Sequence, residues 1–204
     1  MQENSLRVPG KNSRSLARIL RAAECREVTY LSKDFPVFWE RAKGCRVWDR
    51  DGNRYTDMTA AFAVANLGHS HPALVGAIAR QSRKMIHGMG DVHPPAVKAR
   101  FLRALAEIMP GQLRQAILSQ NGSDAIETAI KTAMIYSPGR NAMAAFHGSY
   151  HGLSFGALPV TSRADFRAPF LGRTAGKTLF VDYPYCYRCP LKLKFPSCGI
   201  ACLD

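Results

Sequence analysis

Apolar positions recur at two different periods along the chain, and the change of period marks out the elements. Within the polar, basic lead-in up to about Arg26, Leu16, Ile19, Leu20 and Ala23 share one helical face, which predicts an amphipathic helix after the flexible Pro9-Gly10. Beyond Thr29 the pattern turns to short aromatic and β-branched runs, Pro36–Trp39, Cys45–Trp48 and Arg54–Met58, each read as a strand. Asp51-Gly52-Asn53 between the last two is hairpin chemistry, so a small antiparallel sheet is expected. The segment Ala60–Gly68 is rich in small residues and poor in charge, which suits close packing against a neighbour or a ligand.

Helical spacing returns at Pro72, with Leu74, Val75, Ile78, Met85 and Ile86 on the apolar face and His87-Gly88 as the stop. His69 and His71 just before it have no acidic or cysteine partner nearby in sequence and are not read as a metal site. A second helix follows Pro94-Pro95, carrying Val97, Phe101, Leu102, Leu105 and Ile108 and closing at Pro110-Gly111. A short apolar strand at Ala116–Leu118 precedes a helix from Ser123 to Tyr136. Further strands are expected at Ala142–Phe146, apolar throughout as in a parallel sheet covered on both faces, and at Thr178–Val181. Strands alternating with helices argue a doubly wound α/β layer. The expected organisation is an N-terminal portion over residues 1–68 and a larger α/β portion over residues 69–204, ending in a Cys-rich loop at 183–204.

Composition changes this picture little. A hydrophobic content of 47% with 21% charged residues reads as soluble and globular. No apolar run reaches membrane-spanning length and no secretory signal opens the chain, so a cytoplasmic protein without a membrane partner is expected. The net charge of +13 raises nucleic acid as a partner. The cations look scattered, with Arg14, Arg18 and Arg21 early, Arg80, Arg83 and Lys84 later, and Lys192 and Lys194 at the end. A solvated basic surface and no nucleic-acid partner is the expectation.

The chemistry concentrates between Leu118 and Gly152. A strand that breaks at Asn121-Gly122 and restarts as a helix under Ser123 and Asp124 exposes backbone N–H groups at a positive dipole end, which suits phosphate. The same residues also serve a plain helix cap. Past the next strand stands His147-Gly148-Ser149-Tyr150-His151-Gly152, and as ligands lie beyond the carboxyl ends of the strands in an open α/β sheet, both turns are expected on the same rim. One turn offers a phosphate cradle, the other an aromatic face beside glycines that admit a flat ligand. Pyridoxal phosphate satisfies both better than a dinucleotide, because no G-x-G-x-x-G opens a helix.

Val47–Tyr55, Leu67–Pro72, Asn121–Glu127 and Tyr150–Gly152, in that order, resemble the amino-terminal half of a class III pyridoxal-phosphate aminotransferase, the group of 4-aminobutyrate, ornithine and acetylornithine aminotransferases. The resemblance runs from about Phe35 to Thr161. It implies an incomplete aspartate-aminotransferase-like fold, with a small antiparallel sheet and the first part of the doubly wound large domain. It also implies that Gly122 and Ser123 hold the cofactor phosphate, that Tyr150 stacks on the pyridine ring, and that His151 and Gly152 shape that wall. Phe62 matches a substrate-lining place, and equally reads as a core aromatic. Asp124 is read as a helix cap. The complete enzyme would take an amino donor and a 2-oxo acid, and would be a homodimer.

The resemblance also requires a Schiff-base lysine and an acid for the pyridinium nitrogen. No Asp-Glu dipeptide occurs, and Lys131, Lys177, Lys192 and Lys194 stand outside the required contexts. An inactive amino-terminal fragment is therefore expected, the alternative being a non-catalytic phosphate- or metal-binding piece. Cys186, Cys189, Cys198 and Cys202 approach the paired spacing of a zinc or iron–sulfur site, and otherwise read as free thiols in an insertion loop.

Overall fold

The structure, a computed structural model, describes residues 8–26, 28–170, 172–174 and 176–203. The chain separates into two compact units, Met1–Pro95 and Ala96–Asp204, and the expected division at residue 68 falls inside the first.

In the first unit, helix α1 spans Lys11–Ala23. Its N-cap residue, Gly10, has no side chain to cap the helix, and the Asp51 carboxylate does so from the hairpin turn. One carboxylate oxygen accepts the Asn12 N–H and the other the Ser13 N–H, each at 2.8 Å. A Cβ on Gly10 would overlap that carboxyl group, so glycine is what lets the turn approach. Burial pushes the Asp51 pKa up, but the hydrogen bonds from Ser13 and Asn12 outweigh it and leave the group below the usual carboxylate range.

The expected antiparallel sheet is present as β1 (Trp39–Lys43), β2 (Arg46–Asp49) and β3 (Arg54–Thr56), in that spatial order. The first strand starts only at Trp39: the buried Pro36 has no N–H to give a ladder. The β2–β3 hairpin closes on Asp49, 3% exposed, which accepts from the backbone N–H of Asp51 and Asn53, the Asn53 carboxamide and the Tyr55 hydroxyl at 2.7–2.9 Å. Burial, together with the hydrogen bond to Asp49, pushes the Tyr55 phenol up to about 12. The small-residue segment then folds in a way the pattern did not announce. Ala60, Ala61, Phe62 and Ala63 all take φ between 48° and 66°, a left-handed turn closed by Ala63 N–H to Thr59 C=O at 3.0 Å. Asp57 caps it, accepting from the Thr59 N–H and hydroxyl at 2.8 Å and from the Ala60 N–H at 3.0 Å. Its other oxygen meets His69 Nε2 at 2.7 Å, and His69 in turn exchanges two backbone hydrogen bonds with Gly44. The acidic partner missing from His69's sequence surroundings is thus provided by the fold.

L-residues in the left-handed region each cost about 1–2 kcal/mol. Glycine removes that cost but gives back roughly 0.4–1 kcal/mol through a freer unfolded chain. Relief exceeds the entropic loss, so Ala60→Gly with Ala61→Gly should raise stability by about 1 kcal/mol in urea unfolding. An unchanged or lowered midpoint would show that the turn is not strained as described.

Asp57 also sets an acid limit. The His69 contact, followed by the Thr59 and Ala60 hydrogen bonds, holds its pKa at about 2 against an ordinary 3.8. A depressed folded-state pKa stabilises above the unfolded value and loses that contribution as pH falls through the folded one. Stability should therefore decline between pH 3.8 and about 2, and Asp57→Asn should flatten that part of the slope. Trp39, edge-on to His69 at 6.0 Å, is a fluorescence reporter for the titration.

Helix α2 spans Pro72–Ser82, with proline in its first turn. It ends earlier than the apolar spacing implied; past its end the Met85 N–H bonds the Gln81 carbonyl at 2.9 Å and the Gln81 carboxamide donates to the Met85 carbonyl at 3.1 Å. Met85 and Ile86 lie past the helix.

The second unit holds α3 (Ala96–Ile108), α4 (Gly122–Tyr136), β4 (Ala142–Phe146), the single turn α5 (Ala164–Arg167) and β5 (Lys177–Val181). Strands β4 and β5 pair in parallel, Ala142 opposite Lys177 through Phe146 opposite Val181. Two sequence expectations fail here. Residues Ala116–Leu118 are not a strand, since no described segment pairs with them and a strand exists only through its partner. Strand β4 is also not covered on both faces: of its residues only Ala145 is buried. The buried core of this unit lies in Ala157–Thr161, a short 3-10 turn packed beneath the loop that follows β4. Among the described residues no helix is long and apolar enough to cross a membrane.

Candidate functional site

The loop after β4 is held in shape by its own polar groups. His147 N–H extends the ladder to Val181 C=O at 2.8 Å, and Gly148, at φ 82°, turns the chain away. Ser162 closes the loop, donating its N–H to Ser149 C=O at 2.8 Å and accepting the Gly148 N–H on its hydroxyl at 2.9 Å. Beneath it Thr161 is fully buried. Its hydroxyl accepts the His151 N–H at 3.0 Å and donates to the Gly152 carbonyl at 2.7 Å. The peptide groups behind Tyr150 are fixed from inside, while the Tyr150 ring itself is 60% exposed.

Helix α4 brings the other half. Its cap is Asn121, whose side chain accepts the Asp124 N–H at 3.0 Å, while Asp124 accepts the Gln120 N–H at 3.1 Å. Asp124 thus does the structural work expected of it. The Ala125 N–H goes to the Asn121 carbonyl. Of the four N–H groups that open the helix, those of Gly122 and Ser123 have no protein acceptor among the described residues.

The two halves meet directly. The Ser123 hydroxyl donates to the Ser154 hydroxyl at 2.6 Å and accepts the Ser154 N–H at 3.1 Å. Four residues along the same helical face, Glu127 accepts the Gly156 N–H at 2.9 Å. Contact with the Ser154 hydroxyl, then the Gly156 hydrogen bond, lowers the Glu127 pKa. Gly152, at φ 107°, lies so close to α4 that a Cβ there would overlap Ser123, and a Cβ on Gly156 would sit 2.7 Å from the Glu127 carboxyl carbon. Gly122, Ser123, Tyr150, His151 and Gly152 are therefore brought into one neighbourhood. The sequence reading missed Ser154, Glu127 and Thr161. Ser-x-x-x-Glu at helical spacing was the available signal for one of them, and nothing local marked the other two.

The sequence profile of the class-III aminotransferases matches residues 29–200. This chain belongs to the class III aminotransferase family. It is 39% identical over 136 residues to the acetylornithine aminotransferase of Methanopyrus kandleri, covering 67% of this chain and 34% of that one. To the 4-aminobutyrate aminotransferase GabT of Escherichia coli K12 it is 32% identical, covering 76% and 36%. Among solved structures, the taurine:2-oxoglutarate aminotransferase of Bifidobacterium kashiwanohense, determined in complex with PLP and glutamate, superposes with a TM-score of 0.74. It is 27% identical, and the match covers 86% of this chain and 39% of that one. The (S)-enantioselective omega-transaminase of Thermomicrobium roseum superposes at 0.76, covering 87% and 41%. The fold is thus that of the PLP-dependent transaminases, in part: the chain spans about a third of the length of the curated relatives it matches.

The other expected positions belong to other elements. Phe62 belongs to the first unit, where the left-handed turn displays it 95% exposed, so it is not a core aromatic there. Lys131, its side chain exposed, pairs with Glu127 at 3.8 Å one turn further along α4, and Lys177 opens β5. Cys186, Cys189, Cys198 and Cys202 are free thiols around one small cavity shared with Leu191, Leu193 and Phe195. Among the described residues no group of three or more histidine, cysteine or acidic side chains is placed to hold a metal ion, which corrects the zinc or iron–sulfur expectation. Spacing alone suggested convergence on an ion; in the fold, apolar side chains share the space between the thiols.

Proposed function

We propose that this chain forms the cofactor-phosphate and ring-facing part of a PLP-dependent aminotransferase acting between an amine or ω-amino acid and a 2-oxo acid. The observation that carries the reading is the pair of open N–H groups on Gly122 and Ser123, fixed beside the Tyr150 loop by the Ser123–Ser154 and Thr161 hydrogen bonds. They suit a phosphate: two backbone donors at a positive helix end, with the glycine at position 122 leaving open space in front. The Ser123 hydroxyl is committed to Ser154, so its N–H rather than its side chain is the donor offered.

Tyr150 would cover one face of the ring, with His151 and Gly152 completing that wall, and Phe62 keeps the substrate-lining role that the family resemblance gives it. When bound, PLP supplies an electron-withdrawing ring that loosens the bonds of the carbon beside the substrate nitrogen. Moving the proton released there needs a base. The family resemblance assigns that base to a lysine, and Lys131, paired with Glu127, and Lys177, Lys192 and Lys194 stand outside the matching contexts. The chain alone therefore binds the cofactor without turnover. The complete enzyme is a cytoplasmic homodimer in this reading.

Titrating the purified chain with PLP, with phosphate as competitor, tests the proposal. Saturable, phosphate-competed binding without amine-dependent turnover is expected. Turnover by the chain alone would overturn the inactive reading, and absence of saturable binding would overturn the cofactor assignment.

A further inference from the structure

The cations of the amino-terminal segment look scattered in sequence, yet four of them line up on α1. Lys11, Arg14, Arg18 and Arg21 follow at steps of three, four and three residues, which keeps them on one helical face over about 15 Å. They line a groove of about 570 Å³ within the first unit, together with Lys33 from the following loop, the ends Pro9 and Pro36, and the buried Ala17. Asp34 is the single acidic residue lining it among the described residues. None of the five cations is in an ion pair among the described residues. Arg14 also feels Asp51, but both oxygens of that carboxylate are taken by the α1 N–H groups.

Five like charges held side by side repel one another unless a polyanion lies between them. The three arginines favour phosphate, whose oxygens match the guanidinium fork. Among the described residues no aromatic side chain lines the groove, so nucleobases would find no ring there to stack on. We propose that the α1 groove binds linear inorganic polyphosphate, a chain that carries a charge on every phosphorus and has no bases to accommodate. This site is independent of the cofactor reading, since its residues all lie in the other unit.

The test uses the full chain and three probes of matched charge: linear polyphosphate, an oligothymidylate and poly-glutamate. Polyphosphate should bind tightest. The logarithm of its affinity should fall with the logarithm of salt with a slope of about −3.5, as about five contacts at roughly 0.7 each require. Arg18→Glu with Arg21→Glu should weaken binding by about tenfold or more and flatten the slope by at least about 1. Arg80→Glu with Lys84→Glu, the same charge change on exposed cations outside the groove, should change it by less than about twofold. Arg18→Gln with Arg21→Gln, checked like the others by far-UV circular dichroism, gives the same direction should the acidic pair fail to fold. Equal loss in the Arg80/Lys84 pair would reduce the effect to net charge and overturn the site. Tighter binding of oligothymidylate or poly-glutamate, or no binding of any probe, would overturn the choice of ligand.

Discussion

Gly152→Ala should lower the unfolding free energy by about 3 kcal/mol and abolish PLP retention. Two costs add at this position. At φ 107° the backbone is in a conformation that alanine adopts only under strain, worth about 1–3 kcal/mol. The new methyl would also overlap the Ser123 side chain and stand 2.9 Å from its Cα, so relief requires moving α4 rather than a flexible chain end. Gly148 separates the two costs. It is also at positive φ, 82°, but a Cβ there meets nothing within 4 Å. Gly148→Ala should therefore show the backbone cost alone, roughly 1 kcal/mol. Urea midpoints of both variants, with PLP titrations, decide the matter. If the two alanines cost the same, the close approach of the loop to α4 is not as described.

The second large effect is expected at Thr161. Valine keeps its shape but lacks the hydroxyl, leaving the His151 N–H and the Gly152 carbonyl without their partner in a water-poor place. Stranding buried polar groups costs about 1–3 kcal/mol, so Thr161→Val should destabilise by about 2 kcal/mol. Thr161→Ser keeps the oxygen and should recover most of the loss. PLP affinity should follow the same order, because the lost bonds fix the peptide groups directly behind Tyr150 and not the fold at large. A serine variant as damaged as the valine one would place the role in the methyl packing instead. As Thr161 and Gly152 share a hydrogen bond, their effects should be less than additive in a double-mutant cycle.

How much of this was legible beforehand depends on the range of the interaction. Asp51-Gly52-Asn53 specified a hairpin, because a tight turn is written in adjacent residues, and the family motifs around Asn121 and Tyr150 were readable for the same reason. Helix positions followed from spacing, although α2 stops at Ser82 with Gln81 bonded to Met85 beyond its end, a local arrangement that apolar periodicity does not encode. The apolar run Ala116–Leu118 resembled a strand and is not one, since a strand depends on a partner that its own sequence cannot supply. Four cysteines at metal-like intervals were a sound signal of proximity and a poor one of coordination, which needs lone pairs aimed at one point.

By itself, then, the sequence determined the order of elements, the turn at Asn53, the membership of a family and the residues from which a phosphate cradle could be built. Only the tertiary structure decided that Asp51 caps a distant helix, that Asp57 holds His69 under a left-handed turn, that Thr161 and Ser154 lock the Tyr150 loop onto α4, and that five cations face one groove. The division has one physical cause. Local preferences act through neighbouring dihedrals and are written residue by residue, whereas hydrogen bonds and charges act through space, between positions whose separation in the chain carries no trace of their meeting.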